Sequence, residues 1–137
     1  MKKLYLSPSI QSGNKYAVGN TNEKVQCEKI AARVKALFDR DYECETVLST
    51  LSFSLEQRIA EAKSKGCGYY FPIHTNAGSS TASGAVSFFY PGQTAGQNLA
   101  NAIVKGLNAV CPVKSNRASP VTSKTGWTVW LPVLTKP

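Results

Sequence analysis

No acidic residue follows Glu61 in this chain of 137 residues, histidine occurs once, at His74, and the four cysteines form no Cys-x-x-Cys pair. The first absence leaves the second half purely basic, carried by Lys63, Lys65, Lys105, Lys114, Arg117, Lys124 and Lys136. The spacing of Cys27, Cys44, Cys67 and Cys111 excludes zinc-finger patterns, and in a chain made in the cytosol they are expected to be reduced thiols serving as small core residues. Long apolar runs are missing as well. After Lys2-Lys3 only Leu4-Tyr5-Leu6 precedes Ser7-Pro8, short of the roughly 7–15 apolar residues of a secretory signal. Nothing approaches the roughly 18 apolar residues of a membrane-spanning helix. The expectation is a chain that is cytoplasmic as synthesised and has no membrane partner.

What is present fits a globular protein, with 42% hydrophobic and 18% charged residues. The length suits one domain with its own core, residues 1–137. A net charge of +8 invites a polyanionic partner. The lysines are dispersed, however, and no RNP-type aromatic strand or GXXG clamp is found, so nucleic acid is not expected. The same charge suits the anionic polymers of a bacterial cell wall.

Along the chain, Lys3 to Ser7 reads as a strand ended by Pro8, and Ser9 to Thr21 as a long Ser-, Gly- and Asn-rich loop of the kind that usually carries function. A helix follows, with Val25, Cys27, Ile30, Ala31, Val34, Leu37 and Phe38 on its apolar face. Glu45 to Leu51 is a second strand, and Ser54 with Gln57 forms a capping box that opens a helix ended by Gly66. Tyr69 to His74, apolar on both faces, reads as a central strand, and Gly84 to Tyr90 as another. Thr94 to Val110 is helical, with a stripe of Leu99, Ile103, Val104, Leu107 and Val110, and Trp127 to Leu134 is apolar again. Strands alternating with helices predict an α/β fold: a mostly parallel open sheet with helices on both faces, a three-layer sandwich.

Two features converge on chemistry. His74 stands where the apolar run Tyr69-Tyr70-Phe71-Pro72-Ile73 gives way to the polar loop Thr75-Asn76-Ala77-Gly78, and ligands of open α/β sheets gather at the carboxyl ends of strands. Glu23 opens the first helix behind Gly19-Asn20-Thr21-Asn22. A carboxylate and an imidazole are two of the three protein ligands that a hydrolytic zinc site uses. Each also has a plain structural reading: Asn20-x-x-Glu23 is a capping-box spacing, and a lone histidine at a strand end often only hydrogen-bonds.

Taken in order, Leu6-Ser7-Pro8-Ser9 with Gln11 and Asn14, Gly19-Asn20-Thr21-Asn22-Glu23, Ile30-Ala31, Leu55 with Arg58, Ile73-His74-Thr75-Asn76-Ala77, Gly84 before Phe88, and Leu99-Ala100 resemble the zinc-dependent N-acetylmuramoyl-L-alanine amidases. These are peptidoglycan hydrolases of bacteria, their spores and their phages. The resemblance implies that Glu23 and His74 bind Zn2+, with Gln11 in place of a further zinc-binding histidine. It implies Asn14, Arg58 and Asn76 as substrate-binding residues. It also implies cleavage of the amide between N-acetylmuramic acid and L-alanine by water that zinc activates, as in an endolysin.

The sequence departs from the family's pattern in two places. The loop after the first strand has no histidine, only Gln11 and Asn14. The family's general-base Glu on a late strand has no counterpart, so the catalytic carboxylate is unassigned and the chain is expected to end before the last strand and helix of the fold. A sheet without that strand leaves an edge open to self-association. Two functions follow: a cell-wall amidase with impaired turnover, or a non-catalytic peptidoglycan-binding or interaction protein on the same fold.

Overall fold

The computed structural model describes residues 3–121. In chain order the elements are β1 (Lys3–Pro8), α1 (Glu23–Asp41), β2 (Glu45–Leu48), α2 (Leu55–Ser64), β3 (Tyr69–Ile73), β4 (Val86–Phe89), α3 (Thr94–Val110) and β5 (Arg117–Pro120). The chain divides after Ala77 into two compact units.

The first unit is built on a parallel sheet of order β2-β1-β3. The register sets Leu6 of β1 beside Leu48 on one side and Phe71 on the other. Strand alternation divides β1 between two faces. Leu4 and Leu6 join Cys27 and Ala31 of α1 and Ile73 of β3 in the core, with Val34 and Phe38 packed on its margin. The opposite face carries Tyr5, stacked on Tyr70 with ring centroids 5.0 Å apart, and meets α2 through the hydrogen bond from Tyr5 to Glu61. The layering of helix, parallel sheet and helix is therefore as the alternating pattern predicts.

Several details differ from the sequence reading. The buried face of α1 is Cys27-Ala31-Val34-Phe38, whereas Val25 and Ile30 are exposed. Both fall away from the narrow strip that one helix can press against a sheet. The middle strand is β1, not β3; among the described residues β3 pairs only with β1. Cys27 is a core residue and the half-buried Cys44 packs against the core, whereas Cys67 is half-buried outside it and Cys111 is exposed.

Helix ends follow local chemistry. Ser54 and Gln57 form the reciprocal capping box of α2. At its other end Gly66 takes φ of +66°, which a side chain disfavours, and the N–H groups of Gly66 and Cys67 reach back to the carbonyls of Lys63 and Ala62. The capping residue of α1 is Asn22, whose side chain accepts from Val25 N–H at 3.0 Å, so the Asn20-x-x-Glu23 box does not form.

In the second unit β4 and β5 pair in parallel, with Val86 opposite Arg117 and Phe89 opposite Pro120, and α3 makes the crossover between them. The strand β5 lies in a stretch without hydrophobic alternation. It is held by its backbone ladder and by Asn116, which accepts from Ala85 N–H at 2.8 Å and donates to Cys111 O at 2.9 Å. The apolar segment Trp127 to Leu134 lies outside the described residues.

Candidate metal centre

The loop between β1 and α1 delivers a carboxylate to the end of β3. Ser9 N–H bonds to Ile73 O at 2.9 Å, which carries the β1–β3 ladder one residue past the strand. The chain then runs out and back: Lys15 bridges Asn22, Tyr16 N–H bonds to Thr21 O at 3.0 Å, and Gly19 and Asn20 make the reversal with φ of +85° and +46°. Glycine and asparagine are the residues that tolerate this left-handed backbone. The loop closes where Glu23 N–H bonds to Asn14 O at 2.9 Å, which satisfies one of the free donors of the first helical turn.

Glu23 is only 2% exposed, and both of its oxygens are engaged. Oε2 accepts from Asn14 Nδ2 at 2.7 Å. Oε1 lies 2.9 Å from His74 Nδ1 and 3.4 Å from Thr75 N–H. Burial pushes the Glu23 carboxyl up, but hydrogen bonds from Asn14, His74 and Ser9, together with the charge of His74, outweigh it and hold the carboxyl below its usual range. An ionised carboxylate only accepts, so Nδ1 of His74 carries the shared proton. Tyr16 adds a second tie to the end of β3, donating its hydroxyl to Thr75 Oγ1 at 3.0 Å.

The family model described as N-acetylmuramoyl-L-alanine amidase matches residues 9–135. The chain belongs to the N-acetylmuramoyl-L-alanine amidase family. Its fold is also that of two solved amidases. An N-acetylmuramoyl-L-alanine amidase from Clostridium difficile 630 superposes with a TM-score of 0.76 at 19% identity, over 88% of this chain and 70% of that one. The catalytic domain of CwlV, an N-acetylmuramoyl-L-alanine amidase from Bacillus (Paenibacillus) polymyxa var. colistinus, gives 0.70 at 21% identity, over 89% and 71%. No curated protein matches the chain significantly.

In this amidase-family chain the residues singled out from the sequence fall into three groups. Glu23 and His74, 51 positions apart, are brought into direct contact. Gln11 stands two hydrogen bonds away through Asn14, its Oε1 accepting from Asn14 Nδ2 at 2.9 Å, so Gln11, Asn14, Glu23 and His74 form one connected network. Arg58 and Asn76 stand apart from it. Arg58 is fully buried, and its guanidinium donates to Pro8 O at 2.5 Å, Ser7 Oγ at 3.2 Å and Leu51 O at 3.2 Å, tying α2 to the carboxyl ends of β1 and β2. Asn76 is exposed, two positions past His74. Thr75 and Tyr16 were not singled out by sequence reasoning; the adjacency of Thr75 to His74 was the only available signal.

Among the described residues no three His, Cys, Asp or Glu side chains cluster closely enough to hold a metal. The residues that could hold one are Glu23 and His74, in direct contact, with the amide of Gln11 tied to Asn14 beside them. The two strong donors fit a tetrahedral ion: bonds of about 2.0–2.1 Å set neighbouring ligand atoms roughly 3.3 Å apart. The 2.9 Å pair needs only a small opening to reach that spacing.

Proposed function

We propose that this chain acts on peptidoglycan, hydrolysing the amide between N-acetylmuramic acid and L-alanine, with Zn2+ held by Glu23 and His74 and the amide oxygen of Gln11 as the weak third donor. The observation that carries the reading is the buried Glu23–His74 contact, made between residues far apart in sequence at the carboxyl end of a parallel strand. The chemistry zinc supplies when bound is Lewis acidity toward the scissile carbonyl and activation of water for attack near neutral pH. The chain's own residues prepare for it. Hydrogen bonds from Asn14, His74 and Ser9 hold the Glu23 carboxylate ionised, and Asn14 and Thr75 N–H flank the oxygens that face out to His74.

A second reading, a peptidoglycan-binding protein without turnover, is favoured by the neutral third donor. We further propose that the protein is made in the cytosol and meets the wall after release.

The two readings separate in one set of measurements on the purified chain: bound zinc, free amino groups released from purified cell walls, and cosedimentation with those walls. The amidase reading expects zinc near one equivalent and release of amino groups, both lost in His74→Ala. Wall binding that survives His74→Ala, without amine release under any added metal, selects the binding protein instead. Absence of zinc, cleavage and wall binding together overturns both.

A further inference from the structure

We propose that Asn14 is the positioning residue of the Glu23–His74 centre, fixing the plane in which the Glu23 carboxylate faces the imidazole, and that it does not contact substrate. The zinc arm of this inference rests on the function proposed above; the geometry does not.

Asn14 grips Glu23 at both ends. Its backbone carbonyl accepts the Glu23 N–H at 2.9 Å, and its Nδ2 donates to Oε2 at 2.7 Å. The second amide hydrogen goes to Gln11 Oε1 at 2.9 Å. A primary amide has two N–H donors, so both are committed within the protein, and donation to a substrate would release either Glu23 or Gln11. The amide cannot be turned over: Oδ1 would then face two acceptor oxygens.

The consequence falls on the other oxygen of Glu23. The terminal torsion of a glutamate is broad, so burial alone does not fix the plane of the carboxylate. With Oε2 held by Asn14, Oε1 is left to His74 Nδ1 and Thr75 N–H. The loop that carries Asn14 is closed by other bonds, the Lys15–Asn22 bridge, the Tyr16–Thr21 backbone bond and the Tyr16–Thr75 side-chain bond. Substitution of the Asn14 side chain therefore leaves the loop in place.

Because His74 is the only histidine, its ring nitrogens give a single set of NMR signals. In the metal-free wild type these are expected to report the Nδ1–H tautomer. In Asn14→Ala and Asn14→Asp that signature gives way to a tautomer mixture, and zinc affinity drops about 10–100-fold, the usual cost of losing an outer partner of a metal ligand. KM for cell wall stays within about twofold, and Asn14→Gln, with the same amide on a longer arm, returns part of the tautomer signature.

An unchanged tautomer and zinc affinity in folded Asn14→Ala, with a raised KM, would make Asn14 a substrate contact and overturn the proposal. If Asn14→Ala does not fold, Asn14→Gln decides, because a wholly unperturbed His74 spectrum there shows that the placement of the amide is immaterial. If the wild type binds no zinc, the function reading fails while the metal-free tautomer comparison still tests Asn14.

Discussion

Glu23→Gln keeps the shape of a buried side chain and removes its charge and one acceptor. In the wild type the two oxygens accept from Asn14 Nδ2 at 2.7 Å and from His74 Nδ1 at 2.9 Å. The substituted amide has one oxygen, so its NH2 must face one of those donors. His74 can relieve the conflict by moving its proton to Nε2 and accepting, but Asn14 cannot. Both bonds then survive but as neutral ones, and exchanging a charge-assisted bond for a neutral one costs roughly 0.5–2 kcal/mol, about 4 °C of Tm per kcal/mol for a chain of this size.

The sign of the pH dependence follows from the depressed carboxyl. The Glu23 contribution is complete above its ordinary value of 4.5 and disappears as pH falls through the lower folded-state value. The stability gap between wild type and Glu23→Gln should therefore be widest at neutral pH and close on acidification. Urea unfolding across an acid-to-neutral series measures it. A gap of zero at neutral pH, or one that does not change with pH, would refute the assignment of Glu23 as an ionised, hydrogen-bonded hub.

Tyr5→Phe tests the opposite face of the sheet. Burial pushes the Glu61 carboxyl up, but bonds from Tyr5 and Thr50 prevail and hold it at about 2. Loss of the 2.5 Å Tyr5 bond should raise the Glu61 pKa and cost roughly 1.5–3 kcal/mol at pH values where Glu61 is ionised. An NMR titration that finds Glu61 unmoved would contradict it. Arg58→Ala strips the Pro8 and Leu51 carbonyls of a buried donor and leaves a cavity. A destabilisation of about 3–5 kcal/mol is expected in denaturant titration, and a loss under about 1 kcal/mol would show that the guanidinium is not a structural tie.

The elements were legible where one local signal dominated. Ser54 and Gln57 announced the start of α2, Gly66 its end, and the strand–helix alternation gave the parallel pairing of β1 with β2 and β3. Periodicity misjudged α1 because Val25 and Ile30 are apolar yet fall outside the strip that the sheet covers. It missed β5, whose residues Arg117-Ala118-Ser119-Pro120 carry no alternation and are held by backbone pairing. The apolar run of β3 suggested a central strand, but exposure depends on what packs alongside, which a single strand's composition does not record.

The sequence by itself determined the chemistry available: one histidine, no acid beyond Glu61, and an ordered series of motifs that resembles the amidase family. Tertiary structure alone decided which residues meet. It brought Glu23 and His74 into contact, made Asn14 the link between them and Gln11, and sent Arg58 into the protein interior. The reason is physical. A side chain's type fixes what it can donate or accept, whereas its partner is fixed by strand register and helix placement, which arise only when the sheet and helices pack.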